Sequence, residues 1–329
     1  MKKLLGILLA LALLLGCTVA FADPITLTYA EVNPIDTTVV GAVALAFKDK
    51  VEELSGGEIL IDIQGNGVLG DEKTILTGIF SGNDTVDIVR ISAFALNQFG
   101  AQKSVFLTLP FLFATEEEYW KFAESDLAKE FLAEAKEAGM PLTGLAYGEE
   151  GFRHFFLKSE AHGIADLKDM KIRVSDDDIM QGLVKDLGAN PTTVSYNELY
   201  TSLQSGVVDA AEQPIVNYLG KSFQEVAPYL LKDGHTLGTI ELIATDTCFA
   251  KLNEEQQGWI KQAAEYAMTV CKEEVATRQE AAEKELLEKG CIIIEVEDKT
   301  PWMEATKDII ERKAAGMEDT LAALREVIK

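Results

Sequence analysis

The chain has 329 residues, with 54 acidic side chains against 30 Lys and Arg, a formal charge of −24 and a pI near 4.5. Its composition, 47% hydrophobic and 26% charged, supplies enough apolar residues for extended cores and excludes a disordered or low-complexity protein. No net positive field exists to attract phosphate, so nucleic acid and anionic lipid are excluded as partners, and the length predicts about two domains.

Taken in chain order, Met1–Ala22 reads as a secretory signal peptide. Lys2 and Lys3 form its basic end, Leu4–Leu15 its apolar run, and Ala20-Phe21-Ala22 its small-residue cleavage site, so the mature chain is expected to start at Asp23. Leu14-Leu15-Gly16-Cys17 offers a rival reading as a lipidation box, which would anchor the protein at Cys17. No later segment reaches the ~18 apolar residues of a membrane span. Beyond the leader stand Cys248, Cys271 and Cys291, an odd set without metal-ligand spacing, read as buried thiols.

Strand and helix patterns then alternate. Leu27–Val32 and Glu58–Ile63 read as strands around an amphipathic helix, Val39–Leu54. A helix starts near Asp71, and Val86–Ile91 is a short apolar strand. Phe106–Phe113 is a buried run interrupted by Pro110, and Glu116–Ala138 reads as one helix stopped by Gly139 and Pro141. Strand patterns return at Pro141–Ala146, Phe152–Leu157, Lys171–Val174 and Val207–Ala211, with helices at Asp177–Leu187 and Asn197–Gln204. This order predicts an α/β protein with largely parallel sheets. Asn253 and Gln256 form a capping-box pattern opening a proline-free helix of about 36 residues, roughly 54 Å long, that ends at Gly290. A helix of that length is expected to span two lobes. Cys291–Val296 then reads as a strand and Thr306–Val327 as one or two closing helices.

Two chemistries are weighed and set aside. Gly65-Asn66-Gly67-Val68-Leu69-Gly70 matches a dinucleotide fingerprint, but Asp71 and Glu72 would stand where the pyrophosphate sits and repel it. Nucleophilic catalysis lacks a GxSxG turn or a motif-level partner for His154, His162 or His235. The informative stretch is Gly151–Tyr218. The period of two places Lys171 and Arg173 on one face of a short strand, and a buried arginine there would require a carboxylate partner. Its planar fork suits a carboxylate bidentately. Arg153 is a second candidate, and Gln213 leaves the carboxyl end of a strand, where ligands of open sheets sit.

These residues fall within a longer resemblance. Val68-Leu69-Gly70-Asp71-Glu72, Leu109-Pro110-Phe111-Leu112-Phe113, Gly151-Phe152-Arg153, Asp166–Val174, Leu187–Pro191, Glu198–Asp209 and Glu212-Gln213-Pro214 occur in order. Together they resemble the solute-binding proteins of tripartite ATP-independent periplasmic (TRAP) transporters, of the dicarboxylate and sugar-acid type, from about Thr26 to the C-terminal helices. The resemblance implies a two-lobed clamshell bridged by the long helix. The expected division is 23–150 plus 239–278 for lobe I and 151–238 plus 279–329 for lobe II. It implies that Arg173 pairs with a ligand carboxylate, that Arg153 assists, and that Glu72 and Gln213 contact ligand; Asn33 and Ser92 complete the expected ligand-binding set. Gln213 departs from the usual Asn by a methylene, and Phe155-Phe156-Leu157 replaces more polar residues, which suggests a less polar wall. The implied partner is a sodium-coupled permease of two membrane subunits, with no cofactor, no catalysis and a monomeric receptor. A receptor of another transport class, ABC-type or a sensor subunit, is the alternative, and a secreted enzyme the remote one.

Overall fold

A computed structural model describes residues 23–329. The readings of Met1–Ala22 as leader and of Cys17 as anchor lie outside the described residues. The core is one mixed sheet of nine strands: β1 (Ile25–Ala30), β2 (Ile59–Gln64), β3 (Ile88–Ser92), β4 (Leu142–Leu157), β5 (Lys171–Val174), β6 (Asn190–Thr193), β7 (Ala210–Pro214), β8 (Tyr229–Thr245) and β9 (Ile292–Glu295). Their order is β2-β1-β3-β8-β4-β7-β5-β6, with β9 also paired to β8. Alternation decides the outer strands. In β2, Ile59 and Ile61 are buried while Leu60 and Asp62 face outward.

The expectation of largely parallel sheets holds at the two sides of the sheet and at β8–β9, and fails at its centre. β1 pairs parallel with β2 and β3, and β5 with β6 and β7, but β3–β8, β8–β4 and β4–β7 are antiparallel. The runs Pro141–Ala146 and Phe152–Leu157 are parts of one strand, β4. Its partner β8 carries Lys232, Asp233, Gly234, His235, Gly238 and Glu241, whose charges and glycines mask it in the sequence. β4 and β8 are 16 and 17 residues long and pass through both halves of the sheet. β3 joins the far end of β8, at Ile240–Ala244, and β7 joins the last residues of β4, at Arg153–Leu157. The register between β4 and β8 shifts three times, once between Glu149 and Phe152. Gly151 sits in that shift at φ +89°, and a Cβ there would lie 2.8 Å from the Gln279 side chain.

The long helix is Glu254–Glu288, 35 residues, opened by the reciprocal Asn253–Gln256 capping box. It packs on the helix Val39–Leu54, on β4 and on the short helix Ile215–Gly220, so it touches both lobes. One other reading changes. Glu116–Ala138 divides into Glu116–Ala123 and Asp126–Glu137, because Ser125 caps the second helix by accepting from the Ala128 N–H at 3.2 Å. Phe106–Phe113 is largely buried as expected, and a short 3₁₀ turn, Ser104–Thr108, overlaps its start. The final helix, Glu318–Val327, packs against Thr300–Ala314 and against Glu116–Ala123 and Asp126–Glu137. Cys248, Cys271 and Cys291 are buried free thiols.

Candidate functional site

The carboxyl ends of β1, β2, β3, β5, β6 and β7 converge on a cavity of about 210 Å³. All six expected ligand-binding residues line it: Asn33 after β1, Glu72 after β2, Ser92 at the end of β3, Arg153 on β4, Arg173 on β5 and Gln213 on β7. Asp71 caps the helix Glu72–Phe80 by accepting from the Thr74 N–H, which sets Glu72 in its first turn. The GxGxxG segment is the turn that delivers this helix. Gly67 at φ +69° passes so close to Asn197 that a Cβ would lie 2.9 Å from its amide.

Three buried arginines face the cavity and differ in their partners. Arg90 donates to both oxygens of Glu31 and, at 2.6 Å, to Glu72 Oε1. Burial opposes its charge, but the carboxylates of Glu31, Glu72 and Glu150 together outweigh burial and hold the guanidinium charged. Glu72 Oε1 also accepts from the Ser92 N–H at 2.9 Å. Its burial still pushes the Glu72 carboxyl up from the usual range. Arg153 forks onto Glu212, with Nε to Oε2 at 2.5 Å and Nη2 to Oε1 at 3.0 Å, and lies 5.0 Å over the Phe94 ring. Burial resists the ionisation of Glu212, but Arg153 and His235 bring it down to about 2. Behind the pair, His235 Nδ1 meets Asp233 Oδ2 at 2.7 Å, and despite burial His235 is held at about 9 by Asp233.

Arg173 is different. It is 4% exposed, donates Nε to the Val194 carbonyl at 2.9 Å, and has no carboxylate within ion-pair distance among the described residues. Its Nη1 has no partner at all. Burial lowers its pKa, as expected of a desolvated cation without an adjacent anion. Two further buried atoms of the cavity lack partners, Asn33 Oδ1 and the Tyr196 hydroxyl. Among the described residues, no carboxylate stands where a buried Arg173 requires one.

The less polar wall is also relocated. Phe155, Phe156 and Leu157 are fully buried in the core, Phe155 stacked on His235 at 4.6 Å and Phe156 on Phe223 at 5.5 Å. The apolar side of the cavity is instead Val32, Phe94, Ala95, Phe99 and Val194. Arg90, Glu150, Tyr196 and Asn217 line the cavity without having been anticipated. Arg90 had a signal, a lone cation in the apolar strand Ile88–Ser92; Glu150 and Tyr196 sit on a bulge and a 3₁₀ turn, where no periodicity reports direction.

Comparisons with known proteins extend along nearly the whole chain. The profile of bacterial extracellular solute-binding protein, family 7, matches residues 29–316. The protein YiiZ of Salmonella typhimurium is 32% identical over 267 residues, covering 80% of this chain and 79% of its own. The C4-dicarboxylate-binding periplasmic protein DctP of Rhodobacter capsulatus is 24% identical over 335 residues, 98% of each chain. The crystal structure of a TRAP periplasmic solute-binding protein from a Bradyrhizobium species, in complex with D-galacturonate, has a TM-score of 0.86 at 28% identity and covers 92% of this chain and 99% of its own. The fold, the cleft and the match over 29–316 agree, and the chain belongs to the bacterial extracellular solute-binding proteins of family 7.

Proposed function

We propose that this protein captures a small organic acid between its lobes, bound chiefly by Arg173, and passes it unchanged to the membrane subunits of a TRAP transporter. The observation that carries this reading is the unpaired Arg173 guanidinium, buried in a cavity whose other arginines already hold carboxylates. A buried cation without an anion is costly, and a ligand carboxylate removes that cost bidentately. The relatives support the class: one is named for C4-dicarboxylates and one holds D-galacturonate. Arg153, Gln213, Glu72, Asn33 and Ser92 complete the site. Gln213 finds no side-chain hydrogen-bond partner among the described residues and is free to address the ligand.

The working division places 23–150 plus 239–278 in lobe I and 151–238 plus 279–314 in lobe II, with the last helix returned to lobe I. The register shift at Gly151 and the contact of Lys121 Nζ with the Lys329 carbonyl at 3.2 Å support it. No described helix is long and apolar enough to cross a membrane, consistent with action outside the cytoplasmic membrane after removal of Met1–Ala22. No catalytic step is needed, and the receptor works as a monomer.

The test is a thermal-shift screen of carboxylates followed by calorimetry on the best binder. An acid at 100 times its Kd stabilises the protein by about 2.7 kcal/mol. Arg173→Ala is expected to weaken that acid by at least about 100-fold, since a buried charge-assisted pair is lost. Affinity within threefold of the unaltered protein, at about 0.6 kcal/mol, would overturn the assignment.

A further inference from the structure

Glu150 is the anionic counterpart of Arg173. It lies on β4 beside the Gly151 shift, is 4% exposed and lines the same cavity. One carboxylate oxygen accepts from Asn217 Nδ2, and no cation lies within ion-pair distance of it among the described residues. Every other carboxylate of the cavity is engaged. Glu31 and Glu72 share Arg90, Glu212 holds Arg153, Asp176 meets Lys73 at 2.5 Å, and Asp71 binds the Thr74 N–H and the Ser195 hydroxyl. The cavity therefore holds one buried cation, Arg173, and one buried anion, Glu150, that have no ion-pair partner among the described residues, although the charges of Arg90 and Arg153 are felt at Glu150.

Counting charges points the same way. Arg90, Arg153, Arg173 and Lys73 face or bound the cavity, against Asp71, Glu72, Glu150 and Asp176, with Glu31 and Glu212 directly behind. The four cations and four carboxylates that line the cavity balance before any ligand arrives. A second carboxylate on the ligand would find no unengaged arginine and would add uncompensated negative charge to an enclosed site. A ligand with both signs adds none.

Building on the carboxylate reading of Arg173, we propose that the cognate ligand is a zwitterion, with one carboxylate on Arg173 and a protonated nitrogen on Glu150. Glu150 is thereby the residue that selects amino acids over hydroxy acids and dicarboxylates. An ammonium donates to the oxygens that Asn217 leaves free, and a charge-assisted bond in a closed cleft discriminates more strongly than a hydroxyl at the same place. The Asn33 oxygen and the Tyr196 hydroxyl remain for neutral polar groups.

The experiment measures Kd for matched pairs sharing one carbon skeleton: amino acids with the amine at each position from the second to the sixth carbon against the corresponding hydroxy acids, D-glucosaminate against D-gluconate, and succinate as the dicarboxylate. The tightest ligand is expected to be an aminated acid, bound at least about tenfold better than its hydroxy partner. Glu150→Gln keeps the shape and the Asn217 contact and is expected to collapse that ratio to within about threefold. Glu150→Asp keeps the charge and is expected to retain the preference, which separates charge from any loss of folding. A hydroxy acid or succinate as the tightest ligand, or a preference that survives Glu150→Gln, overturns the inference. Loss of that hydroxy acid or succinate in Arg173→Ala would leave the carboxylate reading standing alone; its survival would remove both.

Discussion

Arg90, Arg153 and Arg173 sit in one cavity, and their partners separate their roles. A carboxylate supplied by the fold makes an arginine structural; its absence leaves the guanidinium to the ligand. The same buried charges predict how stability follows pH. Glu149 and Glu241 are pushed up to about 8 by burial, and Asp177 to about 6, so each holds a proton in the folded protein that it loses when unfolded. His235, about 9 when folded against an ordinary 6.5, acts in the same direction. The stability these four contribute is complete below their unfolded pKa values and is lost as pH rises through the folded ones. Glu212 acts oppositely: its contribution is present above 4.5 and is lost as pH falls through about 2. Thermal midpoints measured in buffers from acid to alkaline are expected to peak near about pH 5 and decline toward about pH 9. Glu241→Gln should flatten the decline. A midpoint that rises between neutral and alkaline pH would contradict this account.

At the scale of elements, β4 and β8 decide the architecture, and their register slips beside Gly151. Gly151 takes a left-handed conformation there and lets the Gln279 side chain of the long helix lie against the strand. Gly151→Ala is expected to destabilise the protein by about 1–3 kcal/mol through strain and the Gln279 clash, read as a lowered thermal midpoint. An unchanged midpoint would mean that the strand accepts another backbone path. These two strands also mark the limit of what the sequence discloses. Arg173 is legible because Lys171–Val174 alternates and its neighbours bear family blocks, and the long helix is legible because its caps stand at both ends. β8 is not, since buried Asp233, His235 and Glu241 read as surface residues until their partners are seen. The pairing of Arg153 with Glu212, 59 positions away, depends on the cross-strand register of β4 and β7. No local pattern encodes it. Glu150 is hidden for the same reason, because a bulge breaks the alternation that would have aimed it.

On the scale of the whole molecule, contacts between the two proposed lobes gather around the cavity. Ser195 Oγ donates to Asp71 at 2.9 Å, Lys73 meets Asp176, and Asn97 Nδ2 donates to Asp177 at 2.9 Å. Ligand binding shifts the population toward a closed form only by the affinity difference between open and closed cavities. Asn97→Asp would set a second carboxylate against the buried Asp177. That substitution is expected to enlarge the radius of gyration in small-angle scattering and to weaken the ligand by about tenfold or more. Unchanged scattering and affinity would show that this contact does not hold the lobes together. The sheet itself has a consequence for heredity. Each lobe borrows its central strands from chain segments that also build the other, and the last helix returns to the side where the chain began. Neither half can be cut out, expressed alone or exchanged by recombination as a cassette. New specificities in such a receptor must arise by point substitution at a few cavity positions, with the frame inherited whole.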